Sequence, residues 1–361
     1  MSIEQGFYQL NKILSLKDIN GKDPQLYFIC GNRGPGKTFA VKHYFLKRYL
    51  NYGEKFIILR REVQELDGCA SNFFKDISIK FPEYDMYDKA VNKGQYFELY
   101  LKKKDEVGEN CGQCVGYCIA INSSNKIRTL APNFTDAERI FLDEFQAEDG
   151  RYVGKEITKF ISILTSISRG HGKTYRYVPA FLCSNNVSIV NPYFTAFHVK
   201  PDTCTHFLKG KGWVYEQVQG KAAAKAIEES PLGALIEGSE YADYALGGKY
   251  LSDNNGFIEE VHGDRLSVCT VICDGVKYGI WSIKEGEYTG MYYVNHKINE
   301  NERNVLTFSI ADHKPGSLLT ISGSIVVKNL KAMFNDGYMY FDDQESKNML
   351  VEMIGLQQLN K

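Results

Sequence analysis

The stretch Gly31-Asn32-Arg33-Gly34-Pro35-Gly36-Lys37-Thr38 decides the fold. It meets the phosphate-binding loop pattern G-x-x-x-x-G-K-[ST] at every fixed position. The pattern carries weight when a buried strand precedes it and a helix follows. Leu26-Tyr27-Phe28-Ile29-Cys30 is a short apolar run of the kind a central parallel strand needs. Beyond Thr38, the residues Ala40, Val41, Tyr44, Phe45 and Tyr49 keep helical spacing. Glycines let such a loop curl so that consecutive N–H groups point at one phosphate, and the helix N-terminus adds its positive dipole end. On this reading Gly31, Asn32, Arg33, Gly34, Pro35, Gly36, Lys37 and Thr38 together bind the nucleotide. Lys37 reaches the β- and γ-phosphates, and Thr38 offers its hydroxyl to Mg²⁺.

A second stretch turns binding into chemistry. In Arg139-Ile140-Phe141-Leu142-Asp143-Glu144 an apolar strand runs straight into two carboxylates. Asp143 suits a Mg²⁺ ligand, and Glu144 suits the group that orients and deprotonates an attacking water. One carboxylate for the metal and the next for water is the pattern of ATPases with an extra central strand and a catalytic glutamate. A third strand, expected over Tyr177–Cys183, ends in Ser184-Asn185-Asn186. Asn185 can donate and accept at once, which suits a sensor of the γ-phosphate. The apolar helix expected over Ile157–Ile167 leads to Arg169 in a Gly-rich loop, where an arginine could reach a nucleotide held by a neighbouring subunit.

Lys55–Arg60 is the strand after the first helix, and strand–helix–strand order argues a parallel sheet. Arg60 and Arg61 stand at its carboxyl end, where ligands sit in open α/β sheets. Phe97–Leu101 and Gly116–Ile121 read as a hairpin-like insertion with Lys102, Lys103 and Lys104 between them. All five cations are candidate contacts to DNA or to a subunit interface. Cys111, Cys114 and Cys118 lack the second pair or histidine that zinc needs, and read as free thiols in a loop.

The totals narrow the class. The chain has 361 residues, 43% hydrophobic and 24% charged, so it can build a sizeable core. A net charge of −1 leaves any nucleic-acid contact to local basic surface. Nine cysteines, an odd number, fit reduced thiols rather than a disulfide framework. No run of about 20 apolar residues predicts a membrane span. Met1–Leu10 lacks the basic start and apolar segment of a signal peptide, so the cytoplasm is the expected compartment.

Parallel-sheet signals stop near Val199, and residues 207–252 read as a linker region between an ATPase domain at 1–206 and a second domain at 253–361. In the latter, Leu266–Cys273, Asp274-Gly275 and Tyr278–Trp281 make a hairpin. Met291–Val294 adds a strand. Helices are expected near 323–334 and 344–354, with a late strand over Tyr338–Phe341. This is a small α+β domain.

With these pieces in order, the chain resembles the phi-29-type bacteriophage DNA-packaging motor ATPases, which are terminase-like. The resemblance rests on Gly31–Thr38, on Phe56-Ile-Ile-Leu-Arg-Arg61 with Glu65-Leu66, on Phe141-Leu-Asp-Glu-Phe145, on Leu182-Cys-Ser-Asn185 and on Val190-Asn-Pro-Tyr-Phe194. Leu235–Tyr241 and Asn335–Tyr338 add to it. It implies an α/β P-loop NTPase of the ASCE type followed by an RNase H-like docking domain. It also implies an ATP-driven translocase of double-stranded DNA, working as a homo-oligomeric, pentameric ring on the portal of an empty capsid. ATP and Mg²⁺ are then the cofactors, Arg169 the trans-acting finger, and a structural packaging RNA a partner that phi-29 itself uses.

The residues bear separately on nuclease chemistry. A two-metal nuclease needs carboxylates that converge on ions about 4 Å apart. Leu266–Cys273 contains no acid, Asp274 belongs to a turn, and Asp342 and Asp343 read as a strand end and helix cap. The alternatives are a packaging ATPase with an active nuclease and a P-loop GTPase switch. The latter is disfavoured by Arg128 where Asn125-Lys126-Ile127 would need a following Asp.

Overall fold

A computed structural model describes residues 8–105, 112–148, 151–169, 175–188, 191–201, 206–218, 225, 229–236, 257–273, 275–308, 310–319 and 324–355. The chain divides into two units, Met1–Asp253 and Asn254–Lys361.

The first unit is built on a nine-stranded sheet. One helical turn, α1 (Asn11–Leu14), precedes β1 (Leu26–Gly31), and α2 (Lys37–Tyr52) follows the phosphate loop. Gly53 closes α2 in the left-handed conformation, φ 71°, where a side chain would be strained. Then come β2 (Lys55–Arg60), α3 (Cys69–Ile77), β3 (Tyr84–Val91), β4 (Tyr96–Lys103), β5 (Gln113–Ala120), α4 (Ser124–Leu130) and β6 (Ala137–Asp143). After these run α5 (Glu156–Ile167), β7 (Ala180–Asn185), α6 (Pro192–Phe197), β8 (Phe207–Gly210) and β9 (Trp213–Val218). The strand order is β3-β4-β5-β2-β6-β7-β1-β9-β8. All neighbours from β5 to β9 are parallel, and β1 is buried throughout, as a central parallel strand must be. The extra strand β7 lies between the phosphate-loop strand β1 and the carboxylate strand β6. This is the P-loop NTPase arrangement read from the two motifs.

Four expectations are corrected. Residues 207–218 are not linker: β8 and β9 complete the sheet, with β9 parallel to β1. The polar Glu216 in β9 hid this strand, yet it is buried because the Tyr8 hydroxyl donates to it at 2.6 Å. The third strand starts at Ala180 rather than Tyr177, since Pro179 has no N–H for the ladder and contributes only its carbonyl, to Ile140. Strands β4 and β5 are no separate insertion, because β5 pairs with β2 and extends the main sheet. Cys118 lies on β5, as the strand reading over Gly116–Ile121 requires, and Cys114 joins it there rather than in a loop; both are free thiols. Cys111 lies outside the described residues.

The second unit has a six-stranded mixed sheet. Its strands are β10 (Arg265–Cys273), β11 (Val276–Ile283), β12 (Tyr292–Asn295), β13 (Val305–Thr307), β14 (Ser317–Leu319) and β15 (Met339–Phe341), in the order β14-β13-β10-β11-β12-β15. The helices Ile325–Asn335 and Gln344–Gly355 supply Val327, Leu330, Leu350 and Met353 to its core. The α+β expectation matches, with the short strands β13 and β14 added. Asp274 lies outside the described residues.

Candidate active site

The site gathers at the carboxyl ends of β1, β6 and β7. Gly31 pairs with Asn185 across β1 and β7, and Asp143 pairs with Cys183 across β6 and β7. Gly31 must be glycine because β9 runs so close: a Cβ there would stand 2.1 Å from the Val218 carbonyl oxygen. Gly34 and Gly36 take φ of 90° and 89°, which curls the loop before α2 begins at Lys37.

Lys37 is buried, and its ammonium donates to the carbonyls of Gly31 (3.1 Å) and Asn32 (2.7 Å) and to Asn185 Oδ1 (3.3 Å). Burial lowers its pKa. Thr38 Oγ1 donates to Asp143 Oδ1 at 2.9 Å, so the two oxygens expected to hold Mg²⁺ already meet. Hard oxygen donors at a helix N-terminus beside a buried ammonium fit a magnesium–nucleotide ligand.

Burial raises the pKa of Asp143. Glu144 is raised first by burial and then by the neighbouring charges of Asp143 and Glu148, which makes it a stronger base than an ordinary surface carboxylate. Its backbone is left-handed, φ 54°, a conformation that costs a non-glycine residue about 1–2 kcal/mol.

Arg33 pairs with Glu148 at 2.5 Å, and Asn185 Nδ2 reaches the same carboxylate oxygen at 3.4 Å. Glu148 was not legible as a site residue, since it lies beyond the motif. Gln146, also missed, is buried and accepts from the N–H groups of Val187 (3.2 Å) and Ser188 (2.9 Å), which ties the segment after β6 to the loop after β7.

Arg60 lies at the end of β2 in the electrostatic reach of Asp143 and Glu144. Arg61 is turned inward onto Glu156 and the backbone after Asp143. Lys102, Lys103 and Lys104 are not brought to the site. They lie at the end of β4, beside the start of β5 and hence at the opposite edge of the parallel strands. Arg169 is exposed and follows α5, whose first residue Glu156 stands beside Arg61. Twelve helical residues span about 18 Å, so α5 carries Arg169 away from the Glu144 of its own chain. Residues 170–174 lie outside the described residues.

A family model described as podovirus DNA encapsidation protein (Gp16) matches residues 4–359. The chain belongs to that family. The DNA packaging proteins of Bacillus phage phi29 and Bacillus phage PZA are each 27% identical to it over 352 residues, with 96% of both chains covered. The fold is similar to that of the chain in the bacteriophage Phi-29 viral genome packaging motor assembly, at 26% identity and a TM-score of 0.61, covering 98% of this chain and 99% of that one. It is also similar in fold to the Phi-28 gp11 DNA packaging motor, at 17% identity and a TM-score of 0.59.

In the second unit, His296, Asp342 and Asp343 bring ligand-type atoms within 4.8 Å of one another, the one such group among the described residues. Two of the carboxylate oxygens already serve the helix Gln344–Gly355. Asp343 Oδ1 accepts the Ser346 N–H at 2.7 Å and Asp342 Oδ1 the Ser346 hydroxyl at 2.6 Å, as the capping expectation requires. Among the described residues, no helix is long and apolar enough to cross a membrane.

Proposed function

We infer that this chain is an ATP-driven motor that packages phage double-stranded DNA into a preformed capsid. The observation that carries the reading is the pairing of Thr38 with Asp143, one residue before Glu144, across a strand that ends in Asn185. The phosphate loop Gly31–Thr38 binds ATP, and Thr38 and Asp143 hold Mg²⁺. Bound there, the metal neutralises phosphate charge. Glu144 takes the proton of the attacking water. Lys37 draws charge from the transferred phosphoryl group. Asn185, bonded to Lys37, reports the state of the γ-phosphate to the loop that Gln146 holds. Arg169 of a neighbouring subunit completes the site.

The working form is a ring of copies, a pentamer by family, seated on the portal of an empty capsid in the host cytoplasm. Family membership and the whole-length likeness to an assembled packaging motor support that form. The second unit serves as a docking module without nuclease activity. β10 carries no acid, and the Asp342–Asp343 pair is engaged as a helix cap. Arg60 and Lys102–Lys104 are candidate contacts to DNA or to a neighbour.

The test is Glu144→Gln. It should retain ATP binding and abolish turnover. Undiminished hydrolysis would remove Glu144 from the role of base.

A further inference from the structure

The three nitrogens of the Arg61 guanidinium all have partners inside the protein. Nη1 donates to the backbone carbonyl of Glu144 at 2.7 Å, and Nη2 donates to the carbonyl of Phe145. Nε faces both oxygens of Glu156, at 3.2 and 3.3 Å. The guanidinium carbon lies over Tyr152, 5.2 Å from the ring centre.

The carboxylate that anchors Arg61 is itself fixed. Glu156 is buried at 3% exposure, accepts the Val153 N–H at 2.8 Å, and accepts the Tyr193 hydroxyl at 2.7 Å. Tyr193 lies in α6, whose start is capped by Asn191 through the N–H groups of Tyr193 and Phe194. A planar fork held by a buried acid is a rigid device, and such an arginine aims its remaining donors with little loss of freedom.

Its target is one of the six non-glycine residues that hold a positive φ among the described residues, and the one of them read as the base. Glu144 holds φ at 54° although it is not glycine, and its N–H donates back to Asp143 Oδ1 at 3.2 Å. A backbone in this region persists only where the surroundings over-determine it, and such residues cluster at working sites. Here the surroundings are Arg61, which holds two successive carbonyls, and Gln146, which anchors the next turn of chain.

We propose that Arg61 is a positioning residue: anchored on Glu156, it locks the left-handed backbone of Glu144 and so aims the Glu144 carboxylate at the attacking water. Each of its three nitrogens is engaged in this task. The proposal rests on the reading of Glu144 as base.

The experiment compares Arg61→Ala, Arg61→Lys and Glu144→Gln by kcat for ATP hydrolysis and by Kd for a fluorescent ATP analogue. A misplacement of about 1 Å can cost ~10²-fold in rate. Arg61→Ala should therefore lose on the order of 10²-fold in kcat, with Kd changed by less than about threefold. Arg61→Lys should recover part of the loss, because one ammonium can reach a carbonyl but cannot fork. A kcat for Arg61→Ala close to the parent would overturn the proposal, and so would a Kd that weakens in step with kcat. If Arg61→Ala does not fold, Tyr193→Phe replaces it; removal of one bond to Glu156 should then lower kcat several-fold at constant Kd, and an unchanged kcat overturns the proposal. The two readings separate cleanly. Turnover in Glu144→Gln defeats the base assignment, whereas loss of turnover there with normal kcat in Arg61→Ala defeats only the positioning role.

Discussion

Lys37 and Asn185 meet across the site: the Lys37 ammonium lies 3.3 Å from Asn185 Oδ1, while the Asn185 amide nitrogen faces Glu148 at 3.4 Å. One side chain thus accepts from the phosphate-loop lysine and donates to the acid that holds Arg33. Asn185→Ala should leave that lysine without one of its three acceptors and cut the link to Glu148. Hydrolysis should fall by about 10- to 100-fold, with ATP affinity changed by little, as for a group used mainly in the transition state. Steady-state kinetics with a parallel binding titration checks this. Equal losses in both would make Asn185 a plain binding residue.

Arg33 and Glu148 form an ion pair whose side chains are 42% and 46% exposed. Such a pair contributes about 1 kcal/mol or less to stability. Glu148→Gln should therefore barely move the melting temperature but should release Arg33 toward bound phosphate. We expect KM for ATP to fall by a few-fold, most visibly at low salt. An unchanged KM across salt concentrations would contradict a role for Arg33 at the nucleotide.

Close backbone approach makes a sharper prediction. Gly31→Ala would force a Cβ against the Val218 carbonyl and push β1 from β9. Gly53→Ala meets nothing within 4 Å and suffers only its positive φ of 71°. The first substitution should abolish soluble folded protein, and the second should cost about 1 kcal/mol. Soluble yield distinguishes them, with a circular dichroism melt for the Gly53→Ala protein.

Away from the site, Glu54 joins Arg48 and Arg139, with Arg48 Nε donating at 2.8 Å. Burial alone would raise the pKa of Glu54, but the two arginines outweigh it and hold the carboxyl below its usual range. A depressed acid stabilises the fold above its unfolded value, near 4.3, and that contribution is lost as pH falls through the folded value. Glu54→Gln should thus be less stable than the parent at pH 7, by about 1–2 kcal/mol. The gap should close in acid below about pH 4. Equal melting temperatures at pH 7 would remove the triad from the account.

The sheet and the residues gathered at the candidate site were legible because the phosphate loop, the Asp143-Glu144 pair and the strand before Asn185 each join a strand end to a chemical group within a few residues. What escaped depends on contacts between distant segments. Glu216 reads as polar surface until Tyr8, 208 residues earlier in the chain, supplies a hydroxyl. Glu148 gains meaning from Arg33 and Asn185, and Arg61 from Glu156 and the backbone after Asp143. A lysine run such as Lys102–Lys104 shows its charge in sequence but not its place, and the topology sets it at the amino ends of the parallel strands, opposite the site.

The central claim is that ATP hydrolysis here drives DNA into a capsid. The most direct measurement is ATPase activity of the purified protein alone, with double-stranded DNA, with empty capsids, and with both. Basal turnover should be low, DNA and capsids together should raise it well above either alone, and Glu144→Gln should be inert in every condition. Turnover indifferent to both additions, or equal in the variant, would contradict that claim.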